Sequence, residues 1–234
     1  MPDIYAAFTA AIGLIADFDR DLAEIVVLSL RVSLTAVAAA SLIGMPLGGA
    51  LAVGRFPGRR ALIILLNAMM GLPPVVVGLI VYLALSRSGP LGTFGLLFTP
   101  TAMIVAQTIL IAPIIAALTR QFVEDLWAHY EEQLRSLGTT ETGAVWTLLW
   151  DGRSSLLTAV LAGFGRATAE VGAVMIVGGN IDHSTRVMTT AIALETSKGN
   201  LALALGLGII LLALSLAING MAHLISEATE RTAQ

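Results

Sequence analysis

The sequence has no cysteine, and only 12% of its 234 residues are charged. The absence of cysteine excludes disulfides, thiol catalysis and cysteine-based metal sites. Soluble domains carry about a quarter charged residues, so this chain has too few polar groups to cover a surface in water. Because 56% of the residues are hydrophobic, the composition predicts one bilayer-embedded domain over residues 1–234.

Lysine and histidine are also scarce. The only lysine, Lys198, is followed by glycine and asparagine, so the chain has no GxxxxGK[ST] phosphate loop with which to bind ATP. The three histidines (His129, His183 and His223) lie far apart and form no HExxH pattern. We therefore expect no catalytic residue, no cofactor, no metal centre and no nucleic-acid binding.

The N-terminal region does not have the pattern of a signal peptide, because it lacks a basic start and is rich in aspartate. Residues 4–16 are apolar but shorter than the roughly 20 residues that a membrane helix needs. We predict an interfacial helix there.

Five later runs are apolar and long enough to cross a bilayer. They are residues 25–53, 61–86, 99–119, 154–177 and 201–224. A bilayer offers no water to unpaired backbone groups, so each run should be helical. The sequence predicts an all-α integral membrane protein with five transmembrane helices per subunit.

Basic residues in short loops predict the orientation, since they concentrate on the cytoplasmic side. The loop 54–60 alone holds three arginines, and the same side carries most of the remaining basic residues. That side contains Arg55, Arg59, Arg60, Arg120, Arg135, Arg153 and Arg231, against Arg20, Arg87, Arg186 and Lys198 on the other. The prediction is an outside N-terminus and a cytoplasmic C-terminus.

The longest polar stretch, residues 120–153, is named here the coupling segment. Its residues 129–137 have helical composition, and Gly138 is a suitable stop. A second, amphipathic helix should follow Thr139 or Thr140. Two helices joined by a glycine turn and lying flat under the bundle would give a partner protein a rigid element to hold. The alternative is a solvated loop with interfacial tryptophans.

The sequence Glu132-Gln133-Leu134, followed by Gly138, resembles the EAA-x-x-x-G signature of ABC-importer permeases, with Gln133 and Leu134 in place of the two alanines. In that family this element is the coupling helix, which docks in a groove of the ATPase. The resemblance implies ATPase-coupling roles for a short set of residues. They are Glu131, Glu132, Gln133, Leu134, Leu137 and Gly138.

Residues 161–180 are similar to the corresponding helix of molybdate and tungstate permeases, and residues 185–199 resemble the tungstate branch. Residues 71–79 are similar to these permeases as well. The chain is identified as a member of the type I ABC-importer permeases. The resemblance implies a homodimer in the plasma membrane of a bacterium or archaeon, two ATP-binding subunits, an external tungstate-binding protein and alternating access.

Charged and kinked positions inside the predicted spans are candidates for the translocation pathway. Arg166 and Glu170 stand four apart, so on one helix they would share a face and could pair. They are either a structural ion pair or a border of the pathway. Pro73 and Pro74 must break or bend the second span, as a gate or for packing. Gln107 either forms an interhelical hydrogen bond or lines a cavity.

A polar turn at residues 180–186 precedes a short helix-like stretch at 187–195, which is too short to span a membrane. Its hydroxyl and basic groups would suit transient contact with an oxyanion or docking of the delivery protein; a capped surface helix is the alternative. The candidates are Asn180, Thr185, Arg186, Thr189 and Thr190.

Other functions stay open at this point. Molybdate or sulfate could be the cargo instead of tungstate. A self-contained secondary transporter would use Arg166, Glu170 and Glu195 as an ion or proton relay, and a membrane scaffold would transport nothing. The size of the chain and the absence of a visible internal repeat argue against a secondary transporter.

Overall fold

A computed structural model describes residue 9, residues 12–13 and residues 20–232, without the side chains of residues 222, 223 and 225–232. The predicted interfacial helix at 4–16 lies almost wholly outside these residues. The described part forms nine α-helices and one 3-10 turn at Gly92–Phe94. The helices are α1 (Arg20–Val53), α2 (Arg59–Met70), α3 (Pro74–Leu85), α4 (Pro100–Ser136), α5 (Glu141–Asp151), α6 (Arg153–Thr168), α7 (Gly172–Gly178), α8 (Met188–Lys198) and α9 (Leu201–Thr232).

The helices account for up to five membrane spans. Helices α1, α4 and the first part of α9 (Leu201–Met221) are each long and apolar enough to cross a bilayer. Two bent pairs of helices, α2 with α3 (102°) and α6 with α7 (60°), pass the same test when each pair is taken as one broken span. The described residues therefore confirm the predicted all-α membrane fold, with two of its spans broken.

The break between α2 and α3 comes from the two prolines. Proline has no N–H and its ring clashes with the preceding turn, so a helix cannot run through Pro73 and Pro74 unbroken. The amide of Gly71 closes the end of α2 by donating to the carbonyl of Ala68 (3.1 Å). Pro74 then takes the first position of α3, where a missing N–H costs nothing. The predicted break is confirmed.

The break between α6 and α7 was not predicted. Residues 169–171 leave the helix, and the carboxylate of Glu170 accepts the backbone N–H of Ala173 (3.0 Å) at the start of α7. A side chain that binds a nearby amide competes with continued helix, as at an N-cap. The prediction that Arg166 and Glu170 share a face of one helix is therefore wrong, since α6 ends at Thr168.

Helix α4 also differs from expectation. The third span was predicted to end at Thr119, with a separate helix at 129–137, but α4 runs unbroken for 37 residues to Ser136. At 1.5 Å per residue it is about 55 Å long, well beyond the roughly 30 Å of a hydrocarbon core. No glycine or proline follows Pro113 before Gly138, so nothing ends the helix where its polarity changes. The first half of the coupling segment is thus the end of a span rather than a helix lying flat.

The chain divides into two compact units, each built from three separate stretches. Unit 1 comprises 1–35, 74–107 and 168–219, and unit 2 comprises 36–73, 108–167 and 220–234. Because both units are discontinuous in sequence, they are not successive domains. A single membrane domain over 1–234 stays a prediction.

Close helix contacts hold unit 2 together. A Cβ added to Gly48 of α1 would lie 2.4 Å from the carbonyl oxygen of Ala116 in α4, so only glycine permits this approach. The ends of α1 and α4 also pack with α5 and the start of α6 around buried apolar residues. They include Ala52, Val53, Val123, Ala144, Val145, Leu148, Leu149 and Leu156.

Unit 1 has its own buried core. Leu22 and Ile25 of α1 pack with Met188 and Ala191 of α8 and with Leu207 of α9. This contact fixes the short helix α8, which the sequence predicted at 187–195, against two long helices. The polar turn preceding α8 is thereby held in place.

Candidate functional site

A left-handed glycine ends α4 and starts the turn of the coupling segment. Gly138 has φ +71°, a conformation that costs other L-residues energy. Its amide donates to the carbonyl of Arg135 and the amide of Thr139 donates to that of Leu134, both at 3.0 Å. These bonds satisfy carbonyls that a helix end leaves free. The predicted glycine stop is confirmed.

Helix α5 then begins with Thr140 as its N-cap, whose hydroxyl accepts the amide of Gly143 (3.2 Å). Its buried face contains Val145, Leu148 and Leu149, as the amphipathic pattern predicted. The coupling segment is therefore a helix end, a tight turn and a second helix that is anchored in the core of unit 2.

The opposite face of this hairpin is apolar and exposed. Leu137 is 79% exposed and Trp150 is 74% exposed, with Trp146 close behind. An open groove runs between the end of α4 and α5. It is lined by Tyr130, Gln133, Leu134, Leu137, Trp146, Thr147, Leu148, Trp150 and Asp151. Contiguous exposed apolar surface beside a groove is typical of a protein-binding site.

Glu132 of the signature and its neighbour Glu131 have different environments. The Oε1 atom of Glu131 binds the guanidinium groups of Arg55 (2.9 Å) and Arg135 (2.7 Å). Glu132 is exposed, as is Gln133. Glu131 is thus engaged inside the chain, whereas the side chain of Glu132 is open to a partner.

A second arginine–glutamate contact in unit 2 joins Arg59 to Glu124. The guanidinium of Arg59 donates to Glu124 (2.5 Å), and its Nε also donates to the carbonyl of Leu51 at the end of α1 (2.6 Å). Glu124 also pairs with Arg120. The sequence marked Arg55 and Arg59 only as indicators of orientation, because the partners of a loop arginine depend on tertiary structure.

The threonines near the polar turn are committed to the backbone. Thr185 is fully buried, donates to the carbonyl of Gly178 (2.5 Å) and accepts the amide of Ile181 (2.9 Å). Thr190 is equally buried, and its hydroxyl bonds both backbone groups of Val187. In this conformation both hydroxyls hold the turn together, and their contact with an oxyanion stays a prediction.

The other predicted residues of this region are less enclosed. Thr189 donates to the carbonyl of Glu170 (2.9 Å), which links α8 to the break before α7. Arg186 binds Asp182 (2.7 Å), while its buried Nε has no hydrogen-bond partner among the described residues. The buried Oδ1 of Asn180 also has no hydrogen-bond partner among the described residues. Unused buried polar groups are uncommon, so this turn has bonding capacity left.

Two ionisable groups lie near this turn, outside the membrane-spanning helices. Hydrogen bonding to Glu24 raises the pKa of His183, helped by the charge of Asp182. Hydrogen bonding from Lys198 lowers the pKa of Glu195.

The remaining pathway candidates are spread along the chain. Glu170 and Gln107 are buried, Arg166 is partly buried and Pro73 is exposed. Their roles in a pathway stay predictions. Among the residues that the structure describes, no cluster of three or more His, Asp or Glu side chains could hold a metal ion.

Comparison with known proteins agrees with this architecture. The family described as "Binding-protein-dependent transport system inner membrane component" matches residues 40–231. The chain is 42% identical over 205 residues to a probable anion ABC transporter permease protein of Haloferax volcanii, covering 86% of this chain and 88% of the relative.

Two further relatives differ in their cargo. The chain is 40% identical over 227 residues to the tungstate uptake system permease protein TupB of Peptoclostridium acidaminophilum, covering 97% of this chain and 100% of the relative. It is 26% identical over 218 residues to the sulfate transport system permease protein CysW of Synechocystis, covering 90% and 79%. The chain belongs to the family of inner-membrane components of binding-protein-dependent transport systems.

Proposed function

We propose that this chain is the transmembrane subunit of an ATP-driven importer that moves tungstate inward by alternating access. Two copies enclose the pathway, two separate ATPase subunits bind the coupling segments, and an external binding protein delivers the oxyanion. The chain has no phosphate loop of its own, so the energy must come from a partner.

The coupling segment carries this proposal. It combines a fixed glycine turn, an exposed apolar face and a rigid anchor in unit 2. Because α4 is continuous from the membrane span to Ser136, a displacement of its end moves the span directly. A solvated loop would not need the buried anchor.

The proposed orientation follows from the basic loops. An outside N-terminus and a cytoplasmic C-terminus place the loop 54–60 and the coupling segment in the cytosol, where the ATPases are. The acidic N-terminal region then lies outside. The membrane in which we propose that the chain lies is the plasma membrane of a bacterium or archaeon.

For the pathway we propose the buried and kinked positions predicted above. Arg166 attracts the oxyanion, and Glu170 limits its residence. Pro73 and Pro74 allow the second span to bend, and the side chain of Gln107 lines the pathway. At the outer mouth, Asn180 and Arg186 provide unused polar atoms for brief contacts, with Thr185, Thr189 and Thr190 shaping the turn around them.

Tungstate is proposed over other oxyanions because of the relatives. The tungstate permease TupB matches nearly the whole chain at 40% identity, whereas the sulfate permease CysW matches at 26%. Tungstate, molybdate and sulfate are all tetrahedral dianions, so the binding protein is expected to discriminate between them.

Uptake by purified components tests the proposal. The chain is reconstituted in liposomes with an ABC ATPase subunit and an external oxyanion-binding protein, with ATP inside, and accumulated tungstate is measured. We expect accumulation only with ATP and all three components. Uptake by the chain alone would contradict the proposal, and titration of the binding protein with tungstate, molybdate and sulfate would identify the cargo.

A further inference from the structure

One arginine outside the helical hairpin joins three helices of unit 2. Arg59 is the first residue of α2. Its guanidinium donates to the carbonyls of Leu51 (2.6 Å) and Ala52 (3.4 Å) in the last turn of α1. It also donates to the carboxylate of Glu124 in α4 (2.5 Å). The planar fork of arginine allows these bonds at once, which the ammonium of lysine does not.

A second contact of the same kind lies two turns along α4. Glu131 follows Glu124 by seven residues, so both face the same side of the helix. Each carboxylate also pairs with an arginine four residues away on α4, Arg120 for Glu124 and Arg135 for Glu131. The loop 54–60 is therefore attached to α4 at two points, by Arg55 at Glu131 and by Arg59 at Glu124.

The two contacts differ in burial. The side chains of Arg59 and Glu124 are 31% and 32% exposed, whereas those of Arg55 and Glu131 are 68% and 27% exposed, so the difference lies in the arginines. Water and salt screen an exposed pair strongly, so the inner pair should carry most of the mechanical load. Its hydrogen bonds to the free carbonyls of α1 add to the attachment.

We infer that Arg59 and Glu124 form a transmission clamp, through which a displacement of the coupling segment reaches α1 and α2 as well as α4. This inference rests on the proposed function. Without the clamp, the apolar contacts of unit 2 alone would carry the movement to α1 and α2, and the loop 54–60 with the polar start of α2 would lag behind. Arg59 is thus a positioning residue that acts through other residues.

The ratio of tungstate transported to ATP hydrolysed tests the clamp. In reconstituted complexes, Arg59→Gln should keep ATPase binding and stimulated hydrolysis, while the ratio falls by at least about fivefold, the low end of usual coupling between sites. Arg60→Gln is the matched control, since Arg60 is an exposed neighbour of equal charge. Arg59→Lys should fall between wild type and Arg59→Gln.

The outcomes separate this inference from the proposed function. Absence of ATP-driven uptake in the wild type would defeat the proposed function. Normal uptake with an unchanged ratio in Arg59→Gln would overturn only the clamp. A double variant with Glu124→Gln should lower the ratio by less than the two single changes combined, because both remove the same Arg59–Glu124 contact.

A cross-link covers the case in which Arg59→Gln does not fold. The chain has no cysteine, so Arg55→Cys with Glu131→Cys can be joined specifically by a reversible bifunctional thiol reagent. Because Glu131 lies in the coupling segment, the comparison is made within this variant and not against the wild type. If the loop and α4 move as one body, the cross-linked complex transports as well as the reduced one. A block of transport that reduction reverses would show relative motion and overturn the clamp.

Discussion

Replacement of Gly138 should weaken ATPase coupling through backbone strain alone. An added Cβ would meet nothing within 4 Å, so alanine fits sterically, but the φ of +71° is unfavourable for it. The cost is about 1–2 kcal/mol, which is about a five- to thirtyfold change in the population of the turn. If the free turn is only marginally stable, affinity for the ATPase falls by up to about the same factor.

The series and its control follow from the structure. Asparagine tolerates positive φ, so Gly138→Asn should have a smaller effect than Gly138→Ala. Gly138→Pro should abolish coupling, because proline cannot reach this φ and loses the N–H that bonds Arg135. Gly199 is the matched control: it has φ +80°, equal open space and a position at the end of α8.

The assay is the concentration of ATPase subunit that gives half-maximal hydrolysis in the presence of loaded binding protein. Gly138→Ala should raise this concentration, and Gly199→Ala should leave it near the wild-type value. Equal effects of the two variants would refute the reasoning, as would a Gly138→Pro complex with full stimulated activity.

Three further predictions concern the rest of the chain. Thr185→Val should lower the free energy of unfolding by about 1–3 kcal/mol for each backbone group left unpaired, while Thr185→Ser should not. Equal stability of the two variants would show that the hydroxyl is not structural. Gly48→Ala should lower the free energy of unfolding by about 1–3 kcal/mol, because the added methyl group overpacks the contact with α4. Gly208→Ala should be near neutral, because its added Cβ would meet nothing within 4 Å. Equal unfolding midpoints of the two variants would contradict this. The raised pKa of His183 means that its pair with Glu24 stabilises the protein below the ordinary value of 6.5 and loses this effect as the pH rises through the raised pKa. The difference in melting temperature between wild type and Glu24→Gln should therefore vanish at high pH, and a difference independent of pH would disprove the assignment.

The sequence was sufficient for features that depend on local chemistry. Long apolar runs predicted the spans, Pro73 and Pro74 predicted the break in the second, and Gly138 predicted the end of α4. Each rests on a property of the backbone or the bilayer that acts wherever the residue stands.

The features that were missed depend on tertiary contacts. Polarity beyond Thr119 suggested a new helix, but polarity marks exit from the bilayer and does not end a helix. The break at Glu170 has no proline and is set by a side chain that binds an amide of the following turn. The partners of Arg59 are 7, 8 and 65 residues away in sequence, and no local pattern indicates them.

The most direct test of the account is the accessibility of a single cysteine at Leu137. The chain is naturally free of cysteine, and this position is highly exposed, so Leu137→Cys provides an unambiguous probe. In intact cells an impermeant maleimide should not label it. In inside-out vesicles the same reagent should label it, and added ATPase subunit should protect it. Labelling from outside, or labelling that the ATPase does not reduce, would contradict the proposed coupling site.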